Sequence, residues 1–373
     1  MKKILFTAYD LNVGGIEKAL VTLLNKLNDY DITLVLEHKE GIFLNLIPKN
    51  IKVIEYKVST SKFTIFRKIY NRLKLILFTR KIKNKYAFSC SFATYSIPGA
   101  HIALAASSNN CLYLHANYYV LYNNDTKKMS EFLDSVMIKR FKKLVYVSKE
   151  NMLSITSHYN NISEKGIVCN NLIDDDMINK LSYKEINEKF DGITFVNIGR
   201  HDEKQKQLIN LFNATKKLTL EGYKFKLYLI GDGPDTKMYK DFVSKNNLDN
   251  NIIFLGRKEN PYPYFKKASA TVLSSKYEGY PVVFLEAMTL NCPIISTKVS
   301  DWKELDEKYG IFDDNIYNAM KEFLDHGFII KKKFDAKRYN DDILNKINEK
   351  DFVVTLEINS KNLSSEELSD FIN

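Results

Sequence analysis

Three turns in this sequence carry residue types suited to holding an anion or a row of hydroxyls. The most informative is Leu273-Ser274-Ser275-Lys276-Tyr277-Glu278-Gly279-Tyr280-Pro281-Val282-Val283-Phe284-Leu285-Glu286-Ala287-Met288. A strand ending at Ser274 predicts a loop with Glu278 and Gly279, and Pro281 stands where a helix start tolerates proline well. Glu286 then falls just over a turn into an otherwise apolar helix. A carboxylate there either faces solvent or is kept for a polar partner, because burying it unpaired is costly. With Glu278 in the loop before it, two acids reach hydroxyls of one elongated ligand while the helix start holds a phosphate between them. That set of groups describes a nucleotide sugar.

Gly199-Arg200, with Lys204 and Lys206 close behind, also follows a strand-like run. Arginine forks onto phosphate with two hydrogen bonds and lysine adds a point charge, so the turn suits a diphosphate clamp. It suits a solvated basic loop equally well. The third turn, Asn12-Val13-Gly14-Gly15-Ile16-Glu17, leads from the opening strand into a helix whose free N–H groups attract an anion. A glycine pair there also serves plain steric relief. The pattern is not GxGxxG, so it gives little support to a dinucleotide-dependent dehydrogenase. His115 is a lone histidine, and such residues are more often packed in a core than catalytic. Cys90, Cys111, Cys169 and Cys292 have no CxxC spacing and read as reduced core residues, neither a disulfide framework nor a zinc site.

The elements that must position these turns alternate. Strand-like runs at Lys3–Tyr9, Asp31–Glu37, Ile51–Tyr56, Ala87–Ala93, Cys111–Ala116 and Leu144–Val147 are interleaved with helical patterns at Gly15–Leu27, Ser61–Asn84, Lys128–Lys142 and Lys149–Tyr159. Ile193–Ile198 restarts the series. Strand-like runs at Phe225–Ile230, Ile252–Leu255, Ala270–Ser274 and Pro293–Thr297 then alternate with helical patterns at Gln207–Leu220, Asp235–Lys245 and Val282–Leu290. Such repetition predicts an α/β protein of two doubly wound parallel-sheet domains. The 373 residues, at about 150 per domain, agree with two to three units. The expected division is 1–185, 186–350 and a tail of unread role at 351–373. A helix is expected near Arg338–Lys350 and another at Ser364–Asn373. Asp174-Asp175-Asp176 reads as polar linker. With 45% hydrophobic residues and only 14 glycines and 7 prolines, the composition excludes a disordered or fibrous chain. No apolar run nears the roughly 18 to 20 residues a membrane span needs, and Ile4–Tyr9 is too short for a signal-peptide core. A cytoplasmic protein is expected.

The net charge of +10 has one source. Between Tyr56 and Asn124 there is no acidic residue, while Lys57, Lys62, Arg67, Lys68, Arg72, Lys74, Arg80, Lys81, Lys83 and Lys85 supply ten positive charges; the other 45 basic residues match 45 acidic ones. Within segment 61–85, Phe63, Phe66, Ile69, Tyr70, Leu73, Ile76 and Leu77 share a helical face, with Arg67, Lys68, Arg72 and Lys74 largely elsewhere. Such a helix rests on an anionic membrane, or it is a core-facing helix with a solvated basic back. RNA binding is a weaker reading, since no RNP-like, KH or zinc-finger pattern accompanies the aromatic residues.

The carboxyl-terminal half resembles retaining glycosyltransferases of family 4, which have the GT-B fold of two facing Rossmann-like domains with a cleft between them. The resemblance rests on Gly199-Arg200 with Lys206, on Gly231-Asp232-Gly233-Pro234, and on Glu278 and Glu286 separated by seven residues. Asn260-Pro261-Tyr262-Pro263-Tyr264 is similar to a bacterial capsule, lipopolysaccharide and exopolysaccharide branch; Gly14-Gly15-Ile16-Glu17 and Leu114-His115-Ala116 add matches in the first domain. The resemblance implies a metal-independent hexosyltransferase with no cofactor. It would move a sugar from a nucleotide-sugar donor, UDP-linked, to a glycan or lipid-linked saccharide, peripherally at the inner face of the cytoplasmic membrane and without nucleic acid. Arg200 and Lys206, with Lys204 as substitute, would neutralise the donor diphosphate. Glu286 would hold the ribose, and Glu278 and His115 the transferred sugar. The backbones of Gly14, Gly15, Gly279 and Tyr280 would approach the phosphates, and Arg257, Lys258 and Asn260 are candidates around the base. Two positions depart from the pattern: Asn291 replaces the glycine usual after the Glu286 helix, and Val299-Ser300-Asp301-Trp302 lacks the glycine common in that loop. No dedicated acid pair of the hydrolase type is evident. A nucleotide-sugar epimerase on the same fold is the closest competing activity.

Overall fold

The computed structural model describes residues 1–12 and 14–348; the tail expected at 351–373 lies outside them. Two parallel sheets form among the described residues. The first has seven strands, β1 (Lys2–Ala8), β2 (Tyr30–Leu36), β3 (Lys52–Glu55), β4 (Phe88–Ser91), β5 (Asn110–Leu114), β6 (Lys143–Tyr146) and β7 (Gly166–Val168), in the order β3-β2-β1-β4-β5-β6-β7. The second has six, β8 (Thr194–Ile198), β9 (Lys226–Ile230), β10 (Ile252–Gly256), β11 (Ala270–Leu273), β12 (Ile294–Thr297) and β13 (Gly310–Asp313), in the order β10-β9-β8-β11-β12-β13. Each order reverses beside its first strand, which opens a crevice beyond the strands' carboxyl ends. The glycine turns follow β1 and β8, and the Glu278 loop follows β11.

Helix α1 (Gly15–Lys26) forms because Ala19, Leu20, Leu23 and Leu24 recur at helical spacing, and all four are buried on the first sheet. Helix α2 (Thr64–Ile82) has another character. It turns Leu75, Phe78 and Ile82 toward Tyr56 and α3 (Ile97–Ala106), yet Phe63, Phe66, Ile69, Tyr70, Leu73 and Leu77 are exposed, Phe66 by 74% and Leu77 by 66%. The expected apolar stripe is therefore uncovered by protein among the described residues. None of their helices is long and apolar enough to cross a membrane.

Several elements depart from the sequence reading. Helix α3 was without a periodic signal because it is apolar nearly all round and starts at Ile97-Pro98-Gly99; Ser96 Oγ caps it by accepting from the Gly99 N–H. Asp174-Asp175-Asp176 is not linker but a helix start. Asp174 caps the helix Asp175–Ser182 by accepting from the Met177 N–H at 3.1 Å, and the next two acids face the positive end of its dipole. The last helix among the described residues, Ala336–Asn348, expected with the second domain, returns to the first. Its Ile343 and Ile347 lie with Ala19, Leu23, Phe92 and Tyr113 around one small cleft, and Asn340 exchanges two hydrogen bonds with the Ile173 backbone. The chain thus passes between the lobes twice.

Candidate active site

The loops after β8 and β9 lie on one another so closely that side chains are excluded. A Cβ at Gly231, whose φ is +150°, would stand 1.8 Å from the Gly199 carbonyl oxygen, and one at Gly233 2.3 Å from that of His201. From this platform the short helix Glu203–Lys206 is pinned to the β11 loop. Ser274 Oγ donates to the Lys206 carbonyl at 2.9 Å and the Lys276 N–H to the Gln205 carbonyl at 2.8 Å. Lys206 Nζ then pairs with Glu278 Oε1 at 2.5 Å, and Gln205 Nε2 donates to Glu278 Oε2 at 3.3 Å. Lys204 is exposed, so Lys206 is the lysine this loop delivers to the acid. Arg200 is exposed beside them, 3.6 Å from Asp202. Burial pushes the nearby Tyr277 hydroxyl up to about 12, and the Arg200 charge offsets part of that rise.

The Glu278 loop closes on the first lobe. A Cβ at Gly279 would stand 2.0 Å from the His115 carbonyl oxygen, so only glycine permits this approach. Ser300 Oγ donates to the Gly279 carbonyl at 2.6 Å, and Asn171 Nδ2 to the Tyr280 carbonyl at 3.2 Å. The helix Val282–Thr289 follows with Pro281 at its cap position and no side chain capping it; the Phe284 N–H donates to the Pro281 carbonyl at 3.0 Å, and the N–H groups of Val282 and Val283 before it are left for a ligand. Helix α1 starts with Gly14 at the cap and no bond from a cap side chain, and the Glu17 carboxylate folds back over this turn, 2.0 Å from where a Cβ at Gly14 would stand. Gly15 is open apart from Val282, whose Cγ2 would lie 3.9 Å from a Cβ there, so the two helix starts face each other. One turn into its helix, Glu286 is buried and ion-paired with Lys18 of α1, whose Nζ also donates to Tyr262 Oη at 2.6 Å.

Opposed helix starts, the Lys206–Glu278 pair and the buried Glu286 with Lys18 thus gather where the two lobes meet. Residues 179–362 match the family model described as glycosyl transferases group 1. The second lobe carries a group 1 glycosyltransferase domain. The whole chain has the GT-B fold: HepE of Anabaena, solved in complex with UDP-glucose, gives a TM-score of 0.72 at 16% identity over 94% of this chain and 100% of that one. WaaG, a glycosyltransferase involved in lipopolysaccharide biosynthesis, gives 0.66 at 12% identity over 91% and 95%. An uncharacterized glycosyltransferase of Methanocaldococcus jannaschii is 31% identical over 159 residues, which are 41% of this chain and 39% of that protein. The N-acetylgalactosamine-N,N'-diacetylbacillosaminyl-diphospho-undecaprenol 4-alpha-N-acetylgalactosaminyltransferase of Campylobacter jejuni is 23% identical over 87% of this chain and 91% of its own length.

Against the glycosyltransferase domain, His115 presents its backbone, while its ring turns inward. Nε2 donates to the Phe92 carbonyl at 2.9 Å and the ring packs on Phe92 and Tyr113. Burial pushes its pKa down to about 4, so the ring is neutral at neutral pH with Nδ1 left as an acceptor. The base candidates are engaged elsewhere. Lys258 pairs with Glu188 at 2.8 Å and Asn260 donates to the Leu181 carbonyl at 2.9 Å, both in the segment joining the lobes, while Arg257 is exposed near Asp232. That placement corrects the expectation for Lys258 and Asn260: their side chains hold the crossing.

The two departures from the family pattern keep the backbone a glycine would give. Asn291 and Ser300 both adopt left-handed conformations, with φ of 53° and 58°. Asparagine tolerates this readily, and Ser300 is retained there by its bond to Gly279. The next residue, Asp301, was not singled out by the sequence. Its carboxylate accepts from the Lys149 and Glu150 N–H groups at 2.9 and 2.8 Å and so caps a helix of the opposite lobe. Lys18 and Gln205 were likewise unmarked, and Ser274 and Tyr262 stood inside quoted motifs without a contact of their own.

Proposed function

We propose that the protein is a retaining hexosyltransferase of family 4 that moves a sugar from a UDP-sugar to a glycan or lipid-linked saccharide in capsule, lipopolysaccharide or related surface-polysaccharide synthesis. The observation that carries the reading is that the Lys206–Glu278 pair, the Lys18–Glu286 pair and the starts of α1 and the Val282–Thr289 helix come together where the two lobes meet. Glu286 accepts from the ribose hydroxyls. The diphosphate lies between the starts of α1 and the Val282–Thr289 helix, within reach of Arg200 and Lys206, and Glu278 orients the transferred sugar. As the glycosyl–phosphate bond lengthens, negative charge gathers on the diphosphate, where these cations and N–H groups stabilise it. Attack from the same face, with a diphosphate oxygen taking the acceptor proton, retains the configuration. In this reading those cations and N–H groups carry the developing charge and no metal is invoked. The UDP-glucose of the HepE complex supports the donor, and the diphospho-undecaprenol in the name of the Campylobacter relative supports a lipid-linked acceptor.

A thermal-shift screen against UDP-, GDP-, ADP- and CDP-sugars tests the reading. One UDP-sugar is expected to raise the melting temperature. Glu286→Ala, measured against its own melting point, is expected to bind that sugar roughly 10- to 100-fold more weakly, the cost of losing hydrogen bonds to a charged acceptor. No selective shift, or an undiminished one in the variant, overturns the assignment. Product analysis of donor alone against donor plus acceptor separates transfer from epimerisation.

The exposed face of α2 supports a peripheral position at the inner face of the cytoplasmic membrane. Phe63, Phe66, Tyr70 and Leu77 enter the lipid boundary while Arg67, Lys68 and Arg72 meet anionic head groups. At about 1 kcal/mol per basic residue, changing those three to Gln is expected to weaken binding to anionic vesicles about a hundredfold. Equal flotation with vesicles with and without anionic lipid defeats the idea.

A further inference from the structure

The contact between Lys18 and Glu286 places an internal cation on the carboxylate assigned above to the donor ribose. Its geometry is a two-rung ladder. Gly15 of α1 faces Val282, and one turn further along each helix Lys18 meets Glu286. The Lys18 side chain is 20% exposed and that of Glu286 5%. Nζ also donates to Tyr262 Oη at 2.6 Å and lies 4.8 Å from the centre of that ring. Burial favours the neutral amine, but the adjoining Glu286 outweighs it and holds the ammonium above the ordinary lysine range. The pair joins the lobes, and it satisfies a carboxylate that an empty crevice would otherwise leave buried without a partner.

We propose that Lys18 is a positioning residue that latches the empty cleft by occupying Glu286, and that the ribose hydroxyls of the donor displace it, so that latch and ligand compete for one carboxylate. The inference rests on the assignment of Glu286 to the ribose. A hydroxyl donates to a carboxylate as an ammonium does, and it brings no charge to be desolvated. The exchange therefore keeps Glu286 satisfied while undoing an ion pair between the lobes. The apparent affinity for donor is lowered by the fraction of molecules in which the latch is closed. The cleft is then held together before substrate arrives by the contact that substrate removes.

Isothermal titration of UDP and of 2′,3′-dideoxy-UDP into the parent and into Lys18→Met tests this. The variant is expected to bind UDP about tenfold more tightly, which corresponds to a latch worth about 1.4 kcal/mol. The dideoxy nucleotide has no hydroxyls to offer Glu286 and is expected to bind both proteins equally. A purely structural lysine would not separate the two nucleotides. Tyr262→Phe keeps the ion pair and removes one of the two hydrogen bonds. It is expected to tighten UDP about threefold, and it stands in if Lys18→Met does not fold. UDP binding that is unchanged or weaker in the variants, or an equal gain for both nucleotides, overturns the proposal. If UDP binds the parent but the variants gain nothing, the latch alone falls; if UDP does not bind the parent, the donor assignment falls and takes the latch with it.

Discussion

Glu278→Ala is expected to lower kcat for sugar transfer about a thousandfold while weakening UDP binding only a few-fold. Glu278 receives the Lys206 ammonium at 2.5 Å and the Gln205 amide at 3.3 Å, so its loss acts twice. It removes the acceptor proposed for the sugar hydroxyls, and it frees the lysine proposed to face the departing diphosphate. Removing one preorganised electrostatic group commonly costs 10² to 10³ in rate, and misorientation of the reacting sugar adds to that. Nucleotide affinity is largely spared because Glu286 and the two helix starts are untouched. Steady-state transfer assays with parallel UDP titration provide the measurement. Turnover within tenfold of the parent rejects this role for Glu278, and a collapse of UDP affinity alongside it reassigns the residue to the nucleotide.

Gly279→Ala is expected to reduce kcat/KM about a hundredfold and to destabilise the fold by about 1 to 3 kcal/mol, the usual cost of overpacking. The added methyl would stand 2.0 Å from the His115 carbonyl oxygen and 2.8 Å from its carbon, and a backbone carbonyl has little freedom to yield. Either the Glu278 loop lifts or the lobes part at this point. Both movements spoil the alignment of the second lobe's acid with a sugar held against the first. Melting curves and kinetics together distinguish this from a general loss of folding: a variant as stable and as active as the parent shows that the lobes do not close here as described.

Much of this site could be read from local patterns. Gly199, Arg200 and Gly279 lie in turns directly after β-rich runs, with Lys206 and Glu286 in the helices those turns lead into, and the backbone demands of such turns are written into neighbouring residues. Lys18 shows the limit. It sits on an amphipathic helix where lysine is the ordinary surface choice, and its partner is 268 positions away, a separation at which no periodicity operates. Asp301 is similar, since a cap supplied by the opposite lobe leaves no capping motif beside the helix it serves. For Asn291 and Ser300 the change of residue type hid an unchanged backbone. Helix α3 was missed for a different reason: burial on most sides removes the alternation by which helices are found.

The helix Ala336–Asn348 gives the enzyme a second tether. A single linker lets two bodies swivel about any axis, whereas two separate attachments restrict them to turning about the line that joins those attachments. The bodies then move as a door does, opening at the free edge while the jamb stays shut. A cut between residues 327 and 335 would remove that constraint and leave the swing to the remaining crossing and the contacts at Lys18–Glu286, Gly279–His115 and Asp301, with every side chain of the candidate site in place.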